Sequence, residues 1–280
     1  MELRHIATRE GRLSSFLKEE MKMSTGLMNR LKWQDLLFVN GSPRHTDYPV
    51  KCGDVITAVL EEPAPEYPAQ DGELTILYED DHFLAVDKPA GMLIHPSHSQ
   101  FDGTLANFVV GYYQKTGKSC AFHPITRLDR DTFGIVLLAK NSHAHALMQQ
   151  TSLKKIYHAL VLGGPEKEAG IIDAPIARKL LPSLLREVRA DGKPCITEFS
   201  VLERFEGYSK LVLRPVTGRT HQLRLHCAHM GHPILGDPQY GRGEADFGLP
   251  YQMLCAKRLE FTHPITGESL VLESQMDAKM

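Results

Sequence analysis

Thr126-Arg127-Leu128-Asp129-Arg130-Asp131-Thr132-Phe133-Gly134 runs directly into Ile135-Val136-Leu137-Leu138-Ala139. Two acids and two bases crowd the polar part. The apolar part reads as a buried strand. A polar loop pinned by a buried strand is a rigidly supported loop, the usual seat of catalytic groups. The competing reading is a solvated turn whose Arg–Asp pairs are worth little.

Outward from this stretch, strands dominate. The patterning predicts strands at 74–78, 83–86, 135–139, 156–162, 196–202 and 211–213, and helices at 104–113, 142–150 and 220–230. Helices and strands do not alternate regularly, so the expectation is an α+β domain with a mixed, mostly antiparallel sheet rather than a doubly wound one. Upstream, residues 11–60 read as a small αα-β unit. Leu13, Phe16, Leu17 and Met21 keep helical spacing, Ser24 or Thr25 caps a second helix with Leu27, Met28 and Leu31, and Val39-Asn40-Gly41 is a strand entering a turn. A last strand follows Gly53-Asp54, from Val55 to Leu60. Glu61-Glu62-Pro63-Ala64-Pro65-Glu66-Tyr67-Pro68 suits a linker by its prolines and charge. The expected division is 1–62, a linker at 63–72, and a large domain at 73–280.

The net charge of −2 over 280 residues does not mark a polyanion binder. Acids are concentrated between Glu61 and Asp81, which leaves both flanks mildly basic, and a local basic surface is what nucleic-acid binding needs. No apolar run reaches the roughly 18 residues of a membrane span, and the N-terminus lacks a signal-peptide pattern. A cytoplasmic protein is expected. The five scattered cysteines form no C-x-x-C pair and read as reduced thiols.

A second segment able to carry chemistry is Thr217-Gly218-Arg219-Thr220-His221-Gln222-Leu223-Arg224-Leu225-His226. Thr220 would cap a helix with an apolar stripe of Leu223, Cys227 and Met230, ended by Gly231. His221 and Arg224 would share another face, with Arg224 directed into a site beside the core. An ordinary amphipathic helix with a basic outer face is the plainer alternative. His221, His226, His229 and His232 lack the spacing and the intervening acid of a zinc hydrolase, and no metal is expected. Gly111-x5-Gly117-Lys118-Ser119 has one residue too many for a phosphate loop.

Taken together, these segments resemble the RluA family of pseudouridine synthases. Tyr78-Glu79-Asp80-Asp81 through Asp87-Lys88-Pro89-Ala90-Gly91 and His95-Pro96 resembles its opening motif, and Arg127 to Thr132 with Gly134 its catalytic loop. Lys155-Ile156-Tyr157-His158-Ala159-Leu160-Val161 resembles its tyrosine motif. The segment from Thr217 to His226, followed by Gly231-His232-Pro233-Ile234-Leu235-Gly236-Asp237, resembles its late arginine motif. Thr126, Phe133 and Cys255 stand where members usually carry His, Ser and commonly His.

The resemblance implies an isomerase that converts uridine to pseudouridine in structured ribosomal or transfer RNA, as a monomer and without a cofactor. It implies Asp129, Tyr157 and Arg224 as catalytic, with Arg224 the partner of Asp129. Tyr157 would stack on the flipped uracil and help remove its C5 proton. Arg127, Lys88, His221 and Leu235 would bind the substrate. Residues 11–60 resemble, more loosely, an S4-like RNA-binding domain, with Arg12, Lys18, Lys22, Arg30, Lys32 and Arg44 as phosphate contacts. Leu36-Leu37 fill a place where glycine is often seen. The departures at Thr126 and Phe133 allow an alternative, an inactive RNA-binding protein on a synthase fold.

Overall fold

A computed structural model describes residues 2–61, 66–97, 100–118, 120–179, 185–241 and 247–280. Among these, ten strands form one sheet. Across it run Ala169–Asp173, Ile196–Arg204, Tyr208–Pro215, Lys154–Leu162, Leu254–Thr262, Phe133–Ala139, Phe83–Lys88 and Ile76–Glu79. Ser269–Glu273 flanks 254–262, and His123–Pro124 flanks 133–139. All pairings are antiparallel except one: 133–139 and 254–262 run parallel for two rungs, Phe133 beside Cys255 and Gly134 beside Ala256. Past that seam the strands part, one toward Phe83–Lys88 and the other toward Ser269–Glu273. The expected α+β class and mostly antiparallel sheet are what the chain adopts.

All seven residues of Phe133–Ala139 are buried, because each face of the strand is covered. Ile135, Leu137 and Ala139 meet Phe83, Ala85 and Met148 on the side of the Ser142–Met148 helix. Val136 and Leu138 meet Leu105, Val109 and Tyr113 of the Leu105–Lys115 helix on the other. Each such aliphatic side chain contributes about 1.5–3 kcal/mol by leaving water. In the other half of the sheet, Leu223 and Cys227 of the Gln222–His229 helix pack on Ala159, Val161, Leu211 and Leu213.

That helix starts later than expected. Thr220 is exposed and His221 occupies the cap position in the left-handed region, φ 57°. The buried Gln222 instead ties down the turn before the helix, its Oε1 accepting from Arg219 N (2.9 Å) and Thr217 Oγ1 (3.0 Å). Gly231 ends the helix at φ 91°. It donates to Ala228 O, and His232 N donates to Cys227 O, a pairing that only a residue free of Cβ strain enters easily.

Residues 2–61 have their own core, including Leu13, Phe16, Leu17, Leu31, Leu37 and Ile56. Glu2–Ile6, Val55–Val59, Leu37–Val39 and Ser42–Pro43 form its sheet, and Leu37 fills that core at the position where a glycine was the pattern. Leu13–Ser15 widens into a π-helical turn at Phe16–Glu20, and Ser24 Oγ caps Thr25–Trp33 by accepting from Leu27 N. Positions 63–65 of the expected linker, with residue 62 before them, lie outside the described residues. The rest of it, 66–72, is built into the large domain. Asn107 Nδ2 donates to Pro68 O, Gln70 N donates to Asn107 O, and the Tyr67 hydroxyl lies 3.2 Å from His95 Nδ1. The backbone of Gln70 passes so close to Gly111 that any larger side chain there would collide with it. Lys22 Nζ donates to Pro264 O at 2.6 Å, which joins the small unit to the large domain.

Candidate active site

Asp129 lies in the loop that enters the 133–139 strand, and the loop is fastened from several sides. Thr126 Oγ1 accepts from Leu137 N (2.9 Å), Thr132 N donates to Asp129 O, and Gln252 Nε2 donates to Thr132 Oγ1 (2.6 Å). Lys88 is 1% exposed, and its ammonium donates to Pro89 O, Met92 O and Arg130 O, each at 2.9 Å. Burial, opposed by the charges of Asp131 and Asp129, pushes Lys88 down to about 7. The expectation that Lys88 binds substrate is corrected here: its three donors are spent on backbone, and it clamps the loop that carries Asp129.

The two acids of the loop have different partners. Asp131 pairs with its exposed neighbour Arg130. Asp129, with its side chain 30% exposed, receives Arg224 Nη1 on Oδ2 at 2.9 Å. Arg224 comes from the buried face of its helix, and while one nitrogen reaches Asp129 its fork holds Asp237. Nε and Nη2 donate to Asp237 Oδ2 and Oδ1 at 2.7 and 2.8 Å, and Nη2 also donates to Gln239 Oε1. The reason is burial. A buried guanidinium left unpaired is costly, and Asp237, at 0% side-chain exposure, lies beside it as the partner. Burial alone would raise the Asp237 carboxyl, but the Arg224 fork and the N–H groups of Gln239 and Tyr240 hold it below the ordinary value.

Tyr157 reaches the same place by register. Gly134 pairs with Ala256, Ala256 with Tyr157, and Tyr157 with Leu213, so one row crosses four strands. A bulge between Ile156 and Tyr157 interrupts the ladder there, and such bulges re-aim side chains. Burial, and after it the charge of Asp129, raise the Tyr157 phenol above its ordinary value. A phenol kept protonated suits stacking and is poorly suited to removing a proton. His221 Nε2 lies 3.9 Å from Asp129 Oδ2, and its Nδ1 is 2.9 Å from the Tyr240 hydroxyl. Arg127 is exposed at the start of the loop.

Leu235 is 2% exposed among Phe133, Leu160, Met253 and Cys255. It offers no surface to a substrate and belongs beneath the site, which corrects its expected role. The four histidines diverge. The rings of His226 and His232 bond backbone and Thr197, and His229 is exposed. Among the described residues no group of three His, Cys, Asp or Glu is placed to hold a metal ion. Asp237, Gln239, Tyr240 and Gln252 are site residues that the sequence reading did not assign. The signal for Asp237 was indirect: a buried arginine requires a buried acid, and composition leaves 34 candidates.

In the small unit Arg12, Lys18 and Arg30 are exposed, Lys32 lies over the Trp33 ring at 5.7 Å, and Arg44 over Tyr48 at 4.7 Å. Lys22 is diverted to Pro264. Trp33, 81% exposed, was not among the expected contacts.

A family model described as RNA pseudouridylate synthase matches residues 82–229, more than half of the chain. The chain belongs to that family. An RNA pseudouridine synthase of Bacillus subtilis, YhcT, is 37% identical over 279 residues, covering 96% of this chain and 90% of the relative. A ribosomal large subunit pseudouridine synthase D of Nitrosomonas europaea is 40% identical over 218 residues, 74% of this chain and 63% of that one. The solved structure of human RNA pseudouridylate synthase domain containing 1 superposes with a TM-score of 0.60 at 26% identity, over 76% of this chain and 93% of that one.

These place the chain among RluA-type pseudouridine synthases: it is an isomerase acting on RNA, and the inactive-binder reading is not favoured. No helix among the described residues is long and apolar enough to cross a membrane. Its departures from the family pattern have local partners. Thr126 ties the loop to the strand, while Phe133 and Cys255 are neighbours across the seam, in one apolar cluster. Burial pushes the Cys255 thiol up to about 12, so it stays protonated.

Proposed function

We propose that this synthase modifies uridines of ribosomal RNA, with Asp129 as the reacting carboxylate. Support for the RNA comes from relatives named as ribosomal large subunit synthases. Support for the residue comes from one observation above all. Asp129 is the half-open member of an Asp–Arg–Asp chain whose other two members are buried.

The reaction breaks the N1–C1′ bond, turns the uracil and joins C5 to C1′. The electron-poor C1′ left by the first step resembles that of glycoside hydrolysis, which carboxylates serve. Whether the carboxylate bonds to C1′ or takes the 2′ proton, it must be an anion, and Arg224 Nη1 stabilises the anion. The base has to leave its stack to be reached. Tyr157 stacks on it and Arg127 holds the space it vacates. The small N-terminal unit is an S4-like module whose Arg12, Lys18, Arg30, Lys32 and Arg44 add phosphate contacts. The enzyme acts as a monomer in the cytoplasm.

Asp129→Asn tests the assignment, with Asp131→Asn as internal control. Tritium release from C5-labelled uridine in ribosomal RNA should vanish in the first and remain measurable in the second, with RNA binding and thermal unfolding little changed in both. Substantial release by Asp129→Asn would falsify the assignment.

A further inference from the structure

Asp129 has two nitrogen neighbours, and a single turn stands behind both. Arg224 Nη1 and His221 Nε2 approach the same oxygen, Oδ2, at 2.9 and 3.9 Å. Behind Arg224 lie Asp237, Gln239 and the face of the Tyr240 ring, 5.2 Å from the guanidinium carbon. Behind His221 lies the Tyr240 hydroxyl. The turn braces itself, because Asp237 Oδ1 accepts from the N–H groups of Gln239 and Tyr240.

The protons of this network follow from what each atom can do. The backbone N–H of Arg186 can only donate, and it donates to the Tyr240 oxygen at 3.0 Å. A phenol oxygen that accepts there still has one proton to give, and His221 Nδ1 is the acceptor beside it. If Nδ1 accepts that proton, the neutral ring carries its own on Nε2, toward Asp129. Burial, the largest influence, lowers His221 below its ordinary value. Asp129 and Asp237 oppose that, while Arg224 and Arg186 reinforce it. At 3.9 Å the Nε2–H is beyond hydrogen-bond reach of Asp129, so this donor is available to a substrate oxygen arriving beside the carboxylate.

We propose that Tyr240 is a positioning residue that fixes His221 as the Nε2–H tautomer, so that the turn from Asp237 to Tyr240 sets one cation on Asp129 and one neutral donor beside it for the substrate. A bare Nε2 would repel the anion, and a second cation would compete with the substrate for it. The proposal rests on Asp129 being the reacting carboxylate.

Tyr240→Phe removes the hydroxyl and keeps the ring beneath Arg224. The two readouts are the His221 tautomer, from ring nitrogen–proton correlations in the 15N-labelled full-length protein, and the single-turnover rate at saturating RNA. The signals are assigned by their loss in His221→Gln. The wild type should show Nε2–H alone. Tyr240→Phe should lose that single tautomer and slow by about tenfold, the worth of one neutral hydrogen bond, with RNA affinity kept. His221→Gln should be slow by itself, and adding Tyr240→Phe should slow it no further. An Nδ1–H tautomer in the wild type overturns the proposal, even if Tyr240→Phe does not fold. So does an unchanged tautomer or rate in Tyr240→Phe, or an equal further loss in the His221→Gln background. Failure of the Asp129 assignment is read separately, as activity in Asp129→Asn with the wild-type tautomer intact.

Discussion

Asp237→Asn removes the anion that fixes Arg224 and changes almost nothing in shape. Among the described residues, Oδ1 accepts from three donors, Arg224 Nη2, Gln239 N and Tyr240 N, while Oδ2 accepts from Arg224 Nε. The asparagine oxygen should therefore take the Oδ1 place, which turns its NH2 against Arg224 Nε–H, donor against donor. One charge-assisted bond disappears, and a guanidinium with its side chain 6% exposed keeps only the half-exposed Asp129 as counter-ion. Breaking a buried pair from one side costs about 3–5 kcal/mol, and the remaining help from Asp129 puts the expectation near the lower figure. At about 2–4 °C per kcal/mol for a domain of this size, the melting temperature should fall by roughly 6–12 °C. The assay is denaturant unfolding of Asp237→Asn, Arg224→Met and the double variant. The double variant should be less destabilised than the sum of the singles by at least about 1 kcal/mol, because it leaves no buried charge uncompensated. A loss below about 1 kcal/mol in Asp237→Asn, or strict additivity, would refute the claim that this pair supports the site.

Glu79 accepts from Lys118, Lys140 and Tyr112 at 2.5–2.6 Å. Burial alone would raise its carboxyl, but these partners pull it down to about 2, below the ordinary 4.5. Its stabilisation, on the order of 3 kcal/mol, is thus full above about pH 4.5 and lost as pH falls toward 2. Glu79→Gln should be destabilised at pH 7 and approach the wild type near pH 2; a gap in urea unfolding that does not narrow on acidification counts against it. A chain starting at Glu66 should keep single-turnover chemistry on saturating RNA while binding more weakly and with a shallower salt dependence. One starting at Gln70 should unfold more easily, having lost Tyr67 and Pro68. Loss of chemistry in a folded Glu66 chain would show that residues 2–61 serve catalysis itself.

The strand 133–139 was legible because it is buried on both faces, so its composition carries the signal. The strand 254–262 was not. Lys257, Arg258 and Glu260 break its apolar pattern, since they sit where the two halves diverge and their charged ends find partners such as Ser274 O and Glu273. Asp129, Tyr157 and Arg224 could be named because their local motifs are contiguous in sequence. Their arrangement could not. That the fork of Arg224 belongs to Asp237 depends on which acid is desolvated, a property of packing. Lys88 and Leu235 were misassigned for the same reason: residues next to a site in sequence include those that hold it from behind.

The parallel seam also has a bearing on synthesis. Gln252, which holds the loop through Thr132, lies 120 residues further along the chain, and the strand that follows it is the one that closes the sheet beside Gly134. A ribosome moving at roughly 5–20 residues per second leaves an interval of several seconds between the two. Until the strand 254–262 has been made, the strand carrying Tyr157 has no neighbour on the side facing Gly134, and the row that brings Tyr157 toward Asp129 cannot form. The nascent protein can therefore emerge among the ribosome's own uridines before its carboxylate site is closed.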